Sequence, residues 1–383
     1  MIKEAERIKH ISEYYFSKKL KSIKALNDSG LDIINLGIGN PDIKPPAIVN
    51  DTLSASLHLK QIHGYQSYNG IPKLRTAIKV FYKNQYSVDL DCTNEILPLH
   101  GSKEGIMHIS MSFLNPGDLV LLPNPGYPAY EACAKIAGAS AVYYNMTSSS
   151  DVLDELQNLK SDDLDRIKLM WINYPHMPTG KKATLEDFND IAEFCLKHNI
   201  LLCNDNPYNF ILNSTPLSLL NNSKQRSHVL ELFSLSKSFN MPGYRVGALL
   251  GNENLIQTVL KFKSNMDSGM FKGIQLAASE VLKIDNDWFE KLNTTYLERK
   301  KIGVQIIEHL QCSYQKDTAG FFLWAKVPNQ DGEHWSELIL NKARVFITPG
   351  HIFGSNGNQY LRLSLCAPIS KLTDALSRIK EAI

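Results

Sequence analysis

From about residue 95 to residue 250, short apolar runs alternate with amphipathic helical patterns, and this alternation constrains the fold more than any other feature of the chain. The runs are Glu95–Leu99, Leu119–Leu122, Ala141–Tyr144, Lys168–Ile172, Ile200–Cys203, Val229–Phe233 and Val246–Leu250. Between them, Ser102–Phe113 and Leu185–Lys197 have helical patterning. Leu185, Phe188, Ile191, Ala192 and Cys195 fall on one face by their three- and four-residue spacing. Strands alternating with helices predict an α/β fold, with a mainly parallel sheet covered by helices. Such sheets bind ligands beyond the carboxyl ends of their strands. The loops after these strands should therefore carry the chemistry.

After about residue 286 the pattern changes. A long helical stretch, Trp288–Leu310, leads to a short strand, Phe321–Val327, then a helix, two more strands and a terminal helix, Ser370–Ile383. This predicts a smaller α+β domain over 286–383, a large domain over 46–285, and an N-terminal arm with part of the small domain over 1–45. The hydrophobic fraction of 43% supplies two such cores. A formal net charge of +2 gives no basic field for nucleic acid or an anionic membrane. The six cysteines form no C-x-x-C pair, which predicts a reduced, cytoplasmic protein. The charged start Lys3-Glu4-Ala5-Glu6-Arg7 is unlike a signal peptide, and no apolar stretch is long enough to span a membrane. The polar stretch Asn221–Ser227 is too short for a domain linker.

Five loops carry unusual residues. In Ser234-Leu235-Ser236-Lys237, followed eight residues later by Arg245, hydroxyls surround a lysine at a strand end. A desolvated lysine suits imine chemistry, and serines with an arginine suit a phosphate ester. Taken alone, the pattern is more often a solvated loop. Asn204-Asp205-Asn206-Pro207-Tyr208 places a carboxylate and a phenol where they could grip a heteroaromatic ring, though the same residues make ordinary turns. Gly101-Ser102-Lys103 opens a helix whose free N–H groups attract an anion, or simply caps it. Tyr127, in Pro125-Gly126-Tyr127-Pro128, could stack on a flat ring or anchor packing. Tyr174-Pro175-His176-Met177-Pro178-Thr179-Gly180 is a proline-rich loop that could equally be a rigid turn.

Together, in this order, these motifs resemble the class I/II aminotransferases, the pyridoxal-phosphate enzymes of fold type I. The resemblance extends from Asn35-Leu36-Gly37-Ile38-Gly39-Asn40-Pro41 through Tyr65, Gly70, Leu74 and Arg75 to Tyr360-Leu361-Arg362-Leu363-Ser364. It implies an aminotransferase moving an amino group between an amino acid and a 2-oxo acid through an aldimine of pyridoxal 5'-phosphate with Lys237. By the same resemblance, Asp205 keeps the cofactor's ring nitrogen protonated, Tyr208 bonds its ring oxygen, and Tyr127 stacks on its face. Gly101, Ser102, Lys103, Ser234 and Arg245 match phosphate-cup positions, with Ser236 beside them. Tyr65 resembles the tyrosine that reaches the partner subunit's cofactor, which implies a homodimer. Arg362 is similar to the arginine that clamps the substrate α-carboxylate, with Gly37 on the opposite wall.

One position departs from the family. Met177 stands where an asparagine usually donates to the ring oxygen, and a thioether cannot donate. Tyr208 is then the main donor, unless His176 or water compensates. Two alternatives stand beside transamination: a β-C–S lyase or another non-transaminating enzyme on this scaffold, and a non-catalytic ligand-binding protein that keeps the fold. For the substrate side chain, Tyr14-Tyr15-Phe16 and Pro349–Gly354 are candidate pocket walls favouring a bulky apolar or aromatic group. The same aromatic residues could simply pack an N-terminal helix.

Overall fold

The computed structural model describes every residue except 1, 10, 148–151, 222–225 and 330, so most of the polar stretch 221–227 lies outside the described residues. A seven-stranded sheet runs in the order Ile96–Leu99, Gly247–Gly251, Val229–Ser234, Leu201–Asn206, Ile167–Ile172, Leu119–Asn124, Ser140–Asn145. Only Gly247–Gly251 is antiparallel to its neighbours. Side chains of one strand alternate between two buried faces. Leu202 joins one apolar cluster while Leu201 and Cys203 join another. This explains why these strands are near-continuous apolar runs rather than alternating ones.

The two expected helices have the expected bounds, Ser102–Phe113 and Leu185–Lys197. Thr184 starts the second with a reciprocal cap. Its hydroxyl accepts from the Asp187 N–H, and Asp187 accepts from the Thr184 N–H at 2.6 Å. Phe188, Ile191, Ala192 and Cys195 are buried as expected, but Leu185, the first residue of the helix, is exposed.

A second, antiparallel sheet joins Thr348–Pro349, Tyr360–Ser364, Phe322–Lys326 and Ser313–Tyr314. The long helix is Asp287–His309, and the last is Ile369–Ala382. The expectation of two strands after Phe322–Lys326 needs correction. Three short ones occur, Val345–Phe346, Thr348–Pro349 and Tyr360–Ser364. The first leaves the four-stranded sheet to pair in parallel with Ile34–Asn35. That pairing brings the segment after residue 35 against strand Tyr360–Ser364, where the Ser364 N–H donates to the Leu36 carbonyl at 2.8 Å. Among the described residues, no helix is long and apolar enough to cross a membrane.

Candidate active site

The carboxyl ends of the parallel strands open into a cavity of about 310 Å³, shared with residues of the second sheet and the N-terminal helix. Asp205 is the next-to-last residue of strand Leu201–Asn206 and lines the cavity. Tyr130, stacked on Trp171, donates its hydroxyl to Asp205 Oδ2 at 3.0 Å. The other oxygen, Oδ1, is buried and has no hydrogen-bond partner. Burial pushes this carboxyl up to about 7, against the opposing pull of the Tyr130 and Ser102 hydroxyls and the Lys237 charge. A protonated ring nitrogen is the donor that the orphaned oxygen lacks, so the donor set fits the pyridine group that the sequence resemblance implies.

Lys237 follows strand Val229–Ser234 and extends into the same cavity. Its Nζ donates to the Gly39 carbonyl at 2.6 Å. Burial depresses the amine to about 8, so a useful fraction is neutral and nucleophilic near neutral pH. Tyr127 and Tyr208 complete this part of the wall, Tyr208 standing edge-on to Phe321 and Phe322. Burial raises both phenols, so each remains a hydrogen-bond donor.

The expected anion cup also assembles. Gly101, with φ of +88°, caps helix Ser102–Phe113. A Cβ there would lie 2.2 Å from Arg245 Nη2, so only glycine lets the guanidinium approach this turn. Arg245 spans the cup, with Nη1 2.9 Å from the Pro242 carbonyl and Nη2 3.4 Å from the His100 carbonyl. Ser236 Oγ accepts from Arg245 at 3.5 Å, and Ser234 Oγ accepts from the Ser236 N–H at 3.2 Å. Ser102 and Lys103 line the cavity, with Lys103 Nζ 4.5 Å above the Tyr14 ring. Glu104 braces the turn from behind, accepting from the His100 N–H at 2.5 Å and contacting His108 Nε2 at 2.9 Å.

Arg362 enters from the second sheet and is buried. Its Nη2 donates to the Gly37 carbonyl at 2.7 Å, and its Nη1 lies 3.2 Å from Met177 Sδ. The guanidinium also sits 4.0 Å from the Phe322 ring centre and 4.6 Å from that of Phe353. Gly37 therefore holds Arg362 through its carbonyl and is not part of the cavity wall. A Cβ on it would meet the Phe346 ring at 2.3 Å. His176 does not compensate for Met177. It is buried outside the cavity lining with Nδ1 on Thr179 Oγ1 at 2.8 Å, and burial holds it neutral, lowered to about 3.

Tyr65 alone stands apart, 95% exposed and away from the cavity. Several cavity residues carried no sequence signal of their own, among them Tyr130, Asn173, Phe322 and Leu20. Tyr130 could have been found, since it lies one helical turn after Tyr127. Asn173 also organises the loop: its amide donates to the Asp205 carbonyl, and its oxygen accepts from the Met177 N–H at 2.8 Å.

Comparison with known proteins adds the following. A family model described as aminotransferase class I and II matches residues 31–379. The LL-diaminopimelate aminotransferase of Natranaerobius thermophilus is 35% identical over 383 residues, covering 99% of each chain. The enzyme of the same name from Moorella thermoacetica is 35% identical over 385 residues, covering 100% of this chain and 99% of that one. Among solved structures, substrate-bound BacF from Bacillus subtilis superposes with a TM-score of 0.94 at 32% identity, covering 100% of this chain and 98% of the other.

Proposed function

Because the chain belongs to the aminotransferase class I and II family and moves an amino group between an amino acid and a 2-oxo acid, we propose that Lys237 carries the pyridoxal 5'-phosphate of this enzyme and is the base that moves the substrate Cα proton. The observation that carries this reading is the shared cavity: an orphaned buried carboxylate oxygen on Asp205, a depressed lysine amine, and a buried arginine on its far wall. When bound, the cofactor supplies the electron sink that lets the Cα proton leave. Every other task falls to the chain. Asp205 keeps the ring nitrogen protonated by placing a negative charge beside it. Tyr208 donates its hydroxyl to the ring oxygen, and Tyr127 packs on the ring face. Gly101, Ser102, Lys103, Ser234 and Arg245 hold the phosphate through helix N–H groups, hydroxyls and a guanidinium, with Ser236 supporting Arg245. Arg362 takes the α-carboxylate, its orientation fixed by the Gly37 carbonyl and Phe322. The test is transfer of labelled nitrogen from an amino acid to a 2-oxo acid. Release of the label as ammonia with pyruvate would overturn the reading.

We further assign the protein to a homodimer in the cytoplasm. Tyr65 supports the dimer, because an exposed tyrosine away from its own cavity is free to reach that of a partner. All six cysteines are free, as in a reducing compartment. On a division into 46–285 and 286–383, with 1–45 shared, the cofactor would lie between the two sheets. The donor named in the curated relatives, LL-diaminopimelate, is one candidate for this enzyme.

Two substitutions probe the site. Arg362→Lys keeps the charge and loses the planar fork that matches a carboxylate. KM should rise about tenfold or more for every amino and oxo acid, whatever its side chain. A change confined to dicarboxylic substrates would instead place Arg362 at the distal end. Met177→Asn adds an amide donor beside the ring oxygen. Hydrogen bonding favours the anionic form of that oxygen, so the midpoint of the pH titration of the holoenzyme's visible band should fall. An unchanged or raised midpoint would mean that Met177 serves only to pack against Arg362.

A further inference from the structure

We infer that the amino donor of this enzyme bears an aromatic side chain, a reading that rests on the aminotransferase assignment and extends it to the substrate. The far half of the cavity, beyond Arg362, is built from rings and aliphatic groups. Phe16 and Leu20 lie four residues apart on helix Tyr15–Asp28, so both face the cavity, and Phe353 closes the wall beside them. The rings of Phe353 and Phe16 lie 4.6 and 5.3 Å from the Arg362 guanidinium, so a side chain on a clamped α-carbon is presented to them.

Charge decides against a donor with a second ionised end. Four cations line the cavity, Lys103, Lys237, Arg245 and Arg362. All four already have tasks: Lys237 holds the cofactor, Arg362 takes the α-carboxylate, and Arg245 and Lys103 serve the phosphate, Lys103 with its Nζ 4.5 Å from the Tyr14 ring. Asp205 is the only carboxylate residue in the lining, and the cofactor's ring nitrogen takes it. Nor does the segment that carries Tyr65, the residue expected to reach a partner's cofactor, add a cation. Tyr65 belongs to segment 61–70, which packs on segment 264–271, where a Cβ on Gly269 would lie 2.4 Å from the Gln66 carbonyl. Neither segment contains a lysine or an arginine. The one carboxylate in them, Asp267, is ion-paired to Lys263 at 2.6 Å. Diaminopimelate brings a second ammonium and a second carboxylate, and neither meets an uncommitted opposite charge among the lining residues. Desolvating an unpaired charge costs far more than an apolar contact returns.

The experiment uses the holoenzyme and follows the donor half-reaction by absorbance, without an oxo acid, for phenylalanine, alanine, LL-diaminopimelate and glutamate. Phenylalanine should exceed both multiply charged donors at least tenfold in the second-order rate constant. LL-diaminopimelate or glutamate equal to or above phenylalanine would overturn the inference while leaving the aminotransferase reading intact. No half-reaction with any of the four would remove that reading, and this inference with it. Phe16→Ala adds a second check. The ratio of phenylalanine to alanine rates should fall about tenfold, because alanine has no side chain to reach Phe16. An equal fall for both donors would make Phe16 a support of Arg362 and would also overturn the inference.

Discussion

Lys237→Ala should lower turnover by at least about 10⁴-fold, because one substitution removes both the covalent anchor of the cofactor and the base at the substrate Cα. The amine is suited to both tasks by its surroundings. Burial depresses it to about 8, and its Nζ is held 2.6 Å from the Gly39 carbonyl, facing the cavity. Borohydride treatment of the parent holoenzyme should fix a pyridoxyl group on Lys237, and the variant should show none. Lys103 is the informative control, since it lines the same cavity. A pyridoxyl group on Lys103, or a variant within tenfold of parental turnover, would end the assignment. The cup should persist in Lys237→Ala, because the hydrogen bonds of Arg245 to Ser236 and Pro242 and the helix beginning at Ser102 do not run through the lysine side chain.

What could be read from the sequence follows from how local each signal is. Lys237, Asp205, Tyr127 and the Gly101–Lys103 turn directly follow or end buried strands, so the order of strands placed them at one edge before any coordinates. The helix Leu185–Lys197 was legible for a similar reason, since its face and its Thr184 cap both lie within one short segment. The setting of Arg362 was not legible. Its partners Gly37, Met177, Phe322 and Phe353 come from four separate segments, and no spacing in the chain links them. Gly37 shows the limit well: its residue type was informative, but its use of the carbonyl to hold Arg362 appears only in three dimensions. The strand Val345–Phe346 was missed because two residues are too few to show a period, and its partner Ile34–Asn35 is some three hundred positions away.

Asp205→Asn should separate function from stability at a single buried group. In the folded chain without cofactor, burial holds the Asp205 carboxyl at about 7, against an ordinary 3.8. The folded state thus prefers the protonated form. Its contribution to stability is fully present below about pH 4 and is lost as pH rises through 7, by up to about 4 kcal/mol in all. Asparagine fills nearly the same volume and carries no such pH dependence. The apoenzyme variant should therefore match its parent near pH 4 and become more stable than it by pH 8, seen as a higher Tm. Catalysis should move the other way. Without a carboxylate beside the ring nitrogen, the pyridinium loses its stabilising charge, and the donor half-reaction should slow by roughly two to three orders of magnitude, at about 1.4 kcal/mol per tenfold. The cup and Lys237 still bind the cofactor, so the loss should appear in the rate and not in loading. Near-parental half-reaction rates together with an unchanged apoenzyme Tm at pH 8 would reduce Asp205 to a turn residue. The expected opposition of the two effects follows from one feature, a buried carboxyl with one oxygen left without a donor until the cofactor's ring nitrogen supplies it.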